Sequence, residues 1–319
     1  MPLLLDNGFH LKSSLEEHNV RCLLPSEAQE EGLRTLRIGV INLMPCAEKY
    51  EFNLLLPLGR TQLHIDTVWI RLNHHKYQSS DQRHLAEQYL TFDDAIRRKP
   101  LDGLILTGAA VDEIPFEAVR YWDELRQILE FARRHIVSTI GLCWGAMALA
   151  YLIGIDKIGF QRKLFGVFEI RNLGHTHTLM SETDDVFWCP QARYAGYADE
   201  TLELARDRGE VNLLAHSQEA GYVIFETKDR RFLMHLGHPE YNSRRLVEEW
   251  LRDQALRRTS ADSPNNFDVA RPVNRWRGHR AAFFTGWTSY LFETARYIDS
   301  RLEAQKPPCN GRIPNDKQV

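Results

Sequence analysis

No apolar run in this chain of 319 residues approaches the roughly 18 needed to span a bilayer, so no membrane partner is expected. Cysteines in paired spacing are also missing. Cys22, Cys46, Cys143, Cys189 and Cys309 are scattered and odd in number, which argues against a disulfide framework and for a reducing, cytoplasmic setting. Neither sign of charge dominates. A net charge of -3 gives no global bias toward nucleic acid or anionic surfaces. The opening residues, Met1-Pro2-Leu3-Leu4-Leu5-Asp6, lack a basic segment and a long apolar one, and so do not read as a signal peptide. There is no internal repeat, low-complexity block or clean linker. What is present is ordinary for a globular protein: 43% hydrophobic and 26% charged residues, in a chain long enough for a sizeable core.

Strand-like and helix-like stretches alternate through the first half. Residues 36–43, 63–72 and 101–107 read as strands, and 47–58, 80–98 and 116–134 as helices. Val119, Trp122, Leu125, Ile128, Leu129 and Ala132 carry the helical period of the last of these. Such alternation predicts right-handed crossovers and a mostly parallel sheet, with the ligand site beyond the carboxyl ends of the strands. The second half predicts strands at 163–170, 213–216, 222–227 and 232–236, a helix at 243–258, a polar loop at 259–275 and a helical stretch at 276–302. The expected organisation is an N-terminal arm (1–34) with one short helix, a single α/β domain (35–305) that includes the C-terminal helices, and a disordered tail (306–319).

The chain is organised around residues 136–154. A buried strand runs into Gly141-Leu142-Cys143-Trp144-Gly145 and on into an Ala/Met/Leu helix. A sharp strand-to-helix turn exposes its central side chain. The helix start behind it offers free N–H groups and partial positive charge, and both favour thiolate over thiol. Cys143 is therefore a candidate nucleophile; the competing reading is a buried structural thiol. A thiol nucleophile needs a base, and the base needs an orienting partner. His238-Pro239-Glu240, at the end of the strand at 232–236, places an imidazole and a carboxylate two residues apart, which on a strand means one face.

The order strand-Cys-helix, then strand-His-Pro-Glu, resembles the Cys-His-Glu arrangement of the class I glutamine amidotransferase superfamily. More closely, the chain resembles the homoserine O-acyltransferase family (O-succinyltransferases and O-acetyltransferases). The shared strings include Ile41-Asn42-Leu43-Met44-Pro45, the run from Leu101 through Thr107-Gly108-Ala109, Cys143-Trp144, Lys163-Leu164, Arg193-Tyr194, Gly237-His238-Pro239-Glu240-Tyr241, Arg252-Asp253 and Trp276-Arg277 with His279. The resemblance implies a flavodoxin-like α/β fold, a mostly parallel sheet with helices on both faces, plus a C-terminal helical extension. It implies a homodimer acting on small molecules. It also implies ping-pong transfer from acetyl-CoA or succinyl-CoA, as co-substrate rather than bound cofactor, to homoserine or a close hydroxy amino acid such as serine.

In that scheme Cys143 carries the acyl group, His238 is the general base and Glu240 orients it. The backbone N–H groups of Trp144 and Ala109, in the 108–110 loop, form the oxyanion hole. Lys163, Ala192 and Arg252 lie at the acceptor, and Asp112 governs the acyl donor. Family members carry glycine at this last position with succinyl-CoA and glutamate with acetyl-CoA. An acidic Asp112 repels a succinyl carboxylate, so acetyl-CoA is expected. The chain departs from the family after Met44-Pro45, where Cys46-Ala47-Glu48-Lys49-Tyr50 replaces a segment with lysine and threonine. It departs also at Ala192, usually serine, and at Gly286 beside Trp287.

Other features read as structural. His175-Thr176-His177 could ligate metal but has no third ligand nearby in sequence, so no metal site is expected. The basic cluster at 271–280 could touch CoA phosphates or cap a helix, and Glu248-Glu249 reads as amphipathic helix surface. Two rival classes remain: a glutaminase or hydrolase with the same triad, and a non-enzymatic binding protein.

Overall fold

The computed structural model describes residues 3–256 and 263–304. The tail expected to be disordered lies outside the described residues, as do the last residues of the helix expected at 243–258 and the start of the loop expected at 259–275.

The segment expected as an arm holds β1 (Leu3–Leu4), α1 (Lys12–Glu17), β2 (Cys22–Leu23) and α2 (Pro25–Glu30). Then come β3 (Thr35–Ile41), α3 (Ala47–Leu58), β4 (His64–Ile70), α4 (Gln82–Gln88), α5 (Phe92–Arg98), β5 (Gly103–Leu106), α6 (Trp122–His135), β6 (Ser138–Leu142) and α7 (Trp144–Leu152). The second half supplies β7 (Ile158–Asn172), β8 (Val186–Gly196), α8 (Asp199–Asp207), β9 (Val211–Ser217), β10 (Gly221–Thr227), β11 (Phe232–His235), α9 (Ser243–Ala255) and α10 (Arg277–Ala304).

Among the described residues all strands belong to one 11-stranded sheet in the order β2-β1-β4-β3-β5-β6-β11-β10-β9-β7-β8. Every pairing from β2 to β11 is parallel; β11-β10, β10-β9, β9-β7 and β7-β8 are antiparallel. The central run β4-β3-β5-β6-β11 has the flavodoxin-type order, with the first strand inside the second. Side chains along each strand alternate between two cores. Leu36, Ile38, Val40, Ile105, Ile140 and Leu142 face a layer holding α3 and α10. Ile41, Leu104 and Leu106 face a layer holding α5, α6, α7 and α8. The fold is thus α/β with helices on both faces and a long C-terminal helix against the first layer.

Several differences from expectation have local causes. The helix expected at 80–98 is two helices. Leu90 leaves the helical path and pairs with β4, its N–H donating to Trp69 O and its carbonyl accepting from Arg71 N–H, both at 2.9 Å. Thr91 then caps α5 by accepting from Asp94 N–H at 3.2 Å. The helix expected from residue 116 begins as a short 3₁₀ turn, Phe116–Ala118, and α6 starts at Trp122. Besides β1, β2 and α2 in the expected arm, β8 and α8 were not anticipated. β8 contains Pro190, which breaks a strand pattern, but it is the last strand of the sheet, where proline is tolerated. α8 is a nine-residue helix that buries only Leu202 and Ala205. The arm is joined to the sheet: β1 pairs with β4 on one side and β2 on the other.

Candidate active site

The turn at Cys143 is as sharp as its sequence implies. The residue caps α7 with φ 51° and ψ -114°, a left-handed backbone that an L side chain seldom adopts. Two glycines make the turn possible. A Cβ on Gly141 would lie 2.5 Å from the backbone of Gly145 and Ala146, and one on Gly145 would lie 2.4 Å from Leu106 O and 2.8 Å from Thr107 O. The turn at Cys143 is therefore pressed against the end of β5. Gly145→Ala is expected to push the 107–110 loop outward, costing about 1–3 kcal/mol. Thermal melting should show the loss, and acylation should slow more than the melting shift alone explains; unchanged melting would refute this close approach.

Cys143 is 5% exposed but lines a cleft with Met44, Gly108, Ala192, Tyr194 and His238. A methyl group at Gly108 would touch Cys143 Cβ at 3.4 Å and His238 Cε1 at 3.6 Å, so the sulfur-bearing carbon and the imidazole flank one point. His238 Nδ1 and Glu240 Oε1 are 2.7 Å apart. They are not held by strand alternation, as the sequence had led us to expect. β11 ends at His235, and His238-Pro239-Glu240-Tyr241 forms a turn closed by Tyr241 N–H donating to His238 O at 3.2 Å. His238 is fixed from behind by its own N–H donating to Pro190 O at 2.9 Å, and its ring stacks on Tyr241 with centroids 4.1 Å apart.

Burial alone would lower the His238 pKa. The charge of Cys143 and the carboxylate of Glu240 outweigh it and raise the value to about 10. Trp144 is the first residue of α7, directly after Cys143, so its N–H has no intrahelical partner. Ala109 lines the same cleft.

At the cleft's far side Lys163, on β7, is not a solvated surface charge. Its Nζ lies 2.8 Å from Glu249 Oε1 and 2.6 Å from Asp253 Oδ2, and all three side chains are buried. Tyr241 Oη donates to Glu249 Oε2 at 2.9 Å, and Arg252, about a third exposed, reaches Glu249 Oε1 at 3.2 Å. Burial would raise the Glu249 pKa, but Lys163 and Arg252 hold it at about 2. Ala192 contributes its methyl to the cleft, and its carbonyl lies 4.0 Å from the Cys143 sulfur. Asp112 also lines the cleft; its Oδ2 accepts from Tyr194 N–H at 2.5 Å. Of the residues singled out, Cys143, His238, Ala109, Lys163, Ala192, Arg252 and Asp112 share this cleft, with Glu240 and Trp144 directly behind it.

Glu249 and Asp253 were missed as site residues. The available signal was spacing: with Leu246 they occupy one face of α9 at i, i+3 and i+7, a core face carrying two carboxylates. The basic cluster is split: Arg271, Arg275 and Arg277 are exposed, while Trp276, His279 and Arg280 belong to the core. Trp276 is fully buried with Nε1 donating to Tyr241 O at 2.7 Å, and His279 and Arg280 are buried behind Glu240.

Two groups of three conceivable metal ligands occur among the described residues: Cys189, His235 and His279, and His10, Glu51 and His84. In the first, Gly237 N–H points at His235 Nδ1 (3.1 Å). The ring proton therefore sits on Nε2, which donates to His279 Nε2 at 3.1 Å. In the second, Glu51 accepts from His10 (2.9 Å), His84 (2.7 Å) and Tyr89 (2.8 Å). The Glu51 group is a satisfied hydrogen-bond cluster, whereas in the first group His279 Nδ1 is buried without a hydrogen-bond partner among the described residues. His175 and His177 go to separate carboxylates, Asp185 and Glu226. No helix among the described residues is long and apolar enough to cross a membrane.

Comparison with solved structures places this architecture in the class I glutamine amidotransferase-like fold. A Thermotoga maritima glutamine amidotransferase superposes with TM-score 0.51 at 12% identity, covering 82% of this chain and 98% of that one. The glutaminase domain of Trypanosoma brucei CTPS gives 0.50 at 12%, covering 81% and 94%. Within that fold, a profile of the homoserine O-succinyltransferase family matches residues 2–297. Homoserine O-acetyltransferases of Lachnoclostridium phytofermentans and Bacillus subtilis are 35% and 33% identical, each covering 91% of this chain, and 97% and 96% of their own length. The chain belongs to this homoserine O-acyltransferase family.

Proposed function

We propose that the protein transfers an acetyl group from acetyl-CoA to the side-chain hydroxyl of homoserine or a close hydroxy amino acid such as serine. The observation that carries this reading is the convergence of the Cys143 sulfur, the His238–Glu240 pair and the Lys163–Glu249–Arg252 cluster on one cleft. A nucleophile is thereby set beside a group of fixed charges suited to an amino acid. The Cys143 thiolate attacks the thioester carbon, and the N–H groups of Trp144 and Ala109 receive the oxyanion. One such donor contributes about 2.7–4 kcal/mol to the barrier. CoA leaves with the proton held by His238. The acceptor hydroxyl then gives its proton to His238 as it attacks the acyl-cysteine, and that proton returns to the sulfur when the ester departs. Arg252 receives the acceptor's carboxylate, and Glu249 its ammonium. The thiol chemistry suits a reducing, cytoplasmic setting, and the family resemblance favours a homodimer.

Acetyl is favoured over succinyl because the Asp112 carboxylate stands in the cleft wall, where a second carboxylate would be repelled. Kinetics with both thioesters should show higher kcat/KM for acetyl-CoA, and Asp112→Gly should shift the ratio toward succinyl-CoA by at least about tenfold. A wild-type preference for succinyl-CoA would overturn the donor assignment. A serine and homoserine screen fixes the acceptor, and ammonia release from glutamine would favour the rival glutaminase chemistry.

A further inference from the structure

Behind Glu240 lies a group outside the three-residue scheme. Tyr50, on α3, donates its hydroxyl to Glu240 Oε1, the same oxygen that faces His238 Nδ1. The other oxygen, Oε2, is buried with no hydrogen-bond partner among the described residues. The carboxylate is thus held entirely through one oxygen shared between an imidazole and a phenol. The phenol itself is fully buried. Burial and the neighbouring carboxylate both push its pKa well up, so it is a permanent donor. Its ring is fixed edge-on against Tyr241, the residue on which His238 stacks, with centroids 6.3 Å apart.

We propose that Tyr50 is a fourth, positioning member of the Cys143–His238–Glu240 chain, tempering the carboxylate so that His238 can shed its proton between the two half-reactions. This rests on the acyltransferase reading for its kinetic consequence but not for its electrostatic one. A hydrogen bond to a carboxylate spreads its charge and weakens its hold on a neighbouring cation. In the free enzyme that hold stabilises the thiolate–imidazolium pair. In the acyl-enzyme it works against catalysis, because His238 must be neutral to accept the proton of the acceptor hydroxyl.

Other groups also face the pair. Cys189 on β8, Tyr241 and Arg280 on α10 act on Glu240; Cys143, His235 and Glu249 act on His238; Arg245 on α9 lies over the Tyr50 and Tyr241 rings. All of these remain in Tyr50→Phe, which deletes one hydroxyl and keeps the ring.

The test uses the full chain and begins without substrate. The rate of Cys143 alkylation by iodoacetamide, followed against pH, reads the thiolate directly. Tyr50→Phe is expected to lower the apparent thiol pKa by roughly half a unit to one unit. The shift should vanish when Glu240→Gln is present in both members of the comparison, because no carboxylate is left to temper; a merely structural effect of the hydroxyl would persist there. In turnover, the acid limb of kcat should move upward by a similar amount, while the first-turnover release of CoA keeps its amplitude. Superimposable alkylation profiles for wild type and Tyr50→Phe overturn the proposal, as does a shift that survives Glu240→Gln. If the alkylation shift occurs but no acyl transfer is found, the positioning role stands and the acyltransferase reading fails.

Discussion

Cys143→Ala should fold normally and lose turnover by at least about 10⁴-fold, since members of a catalytic unit act together and little chemistry survives without the nucleophile. Folding should be spared because alanine keeps the Cβ, and with it the same strained backbone at φ 51°. Cys143→Gly sharpens the comparison. Glycine adopts this conformation freely, so the variant sheds strain of about 1–3 kcal/mol while gaining unfolded-state entropy. It should be equally inactive yet melt no lower than Cys143→Ala. An ordinary buried cysteine would behave otherwise, because glycine would only enlarge the cavity. Calorimetry of the two variants beside a steady-state assay separates the cases. A strained thiol that costs stability and carries all the activity marks a site kept for chemistry.

Lys163→Ala should produce the largest loss of stability of any single charge deletion at the site. It leaves Glu249 and Asp253 buried on one face of α9 without the ammonium that both contact, a change worth about 3–5 kcal/mol. The pH dependence gives a sign that packing loss alone would not. Glu249 has a folded pKa of about 2 against an ordinary 4.5. Its contribution is present in full above 4.5 and is lost as pH falls from there toward 2, by about 3 kcal/mol. In Lys163→Ala the carboxyl loses the larger of the two cations that hold it down and keeps only Arg252. Protonation then relieves the buried charge, so the variant should gain stability relative to wild type as pH falls from neutrality through this range. Urea unfolding at a series of pH values checks it; parallel curves for the two proteins would mean that the contact carries no net electrostatic stabilisation.

Much of the site was legible because its chemistry needs local patterns. The glycines two residues either side of Cys143 are required by the turn, and the turn is the local pattern that a proposed nucleophile would need. The parallel sheet was legible through strand-helix alternation, which two-sided burial imposes. What escaped depends on neighbours distant in sequence. β8 was hidden by Pro190, acceptable only because this strand lies at the sheet's edge. The break at Leu90 is made by pairing with β4, not by any residue that stops a helix. Glu249 looked like helix surface, and Asp253 entered only as part of a shared string, until Lys163, some 90 positions away, came to rest between them. Tyr50 meets Glu240 across 190 positions, and nothing near it in the chain forecasts that. The geometry of His238 and Glu240 was anticipated through the wrong device, strand alternation, where a turn brings them together.

The most direct measurement is the intact mass of wild-type protein mixed with acetyl-CoA in the absence of any acceptor. A gain of about 42 Da, mapped by peptide analysis to Cys143 and removed on adding homoserine or serine, is the predicted result for a covalent acyl-enzyme. Protein that turns over acetyl-CoA yet never carries the acyl group, or carries it on another residue, would contradict the account.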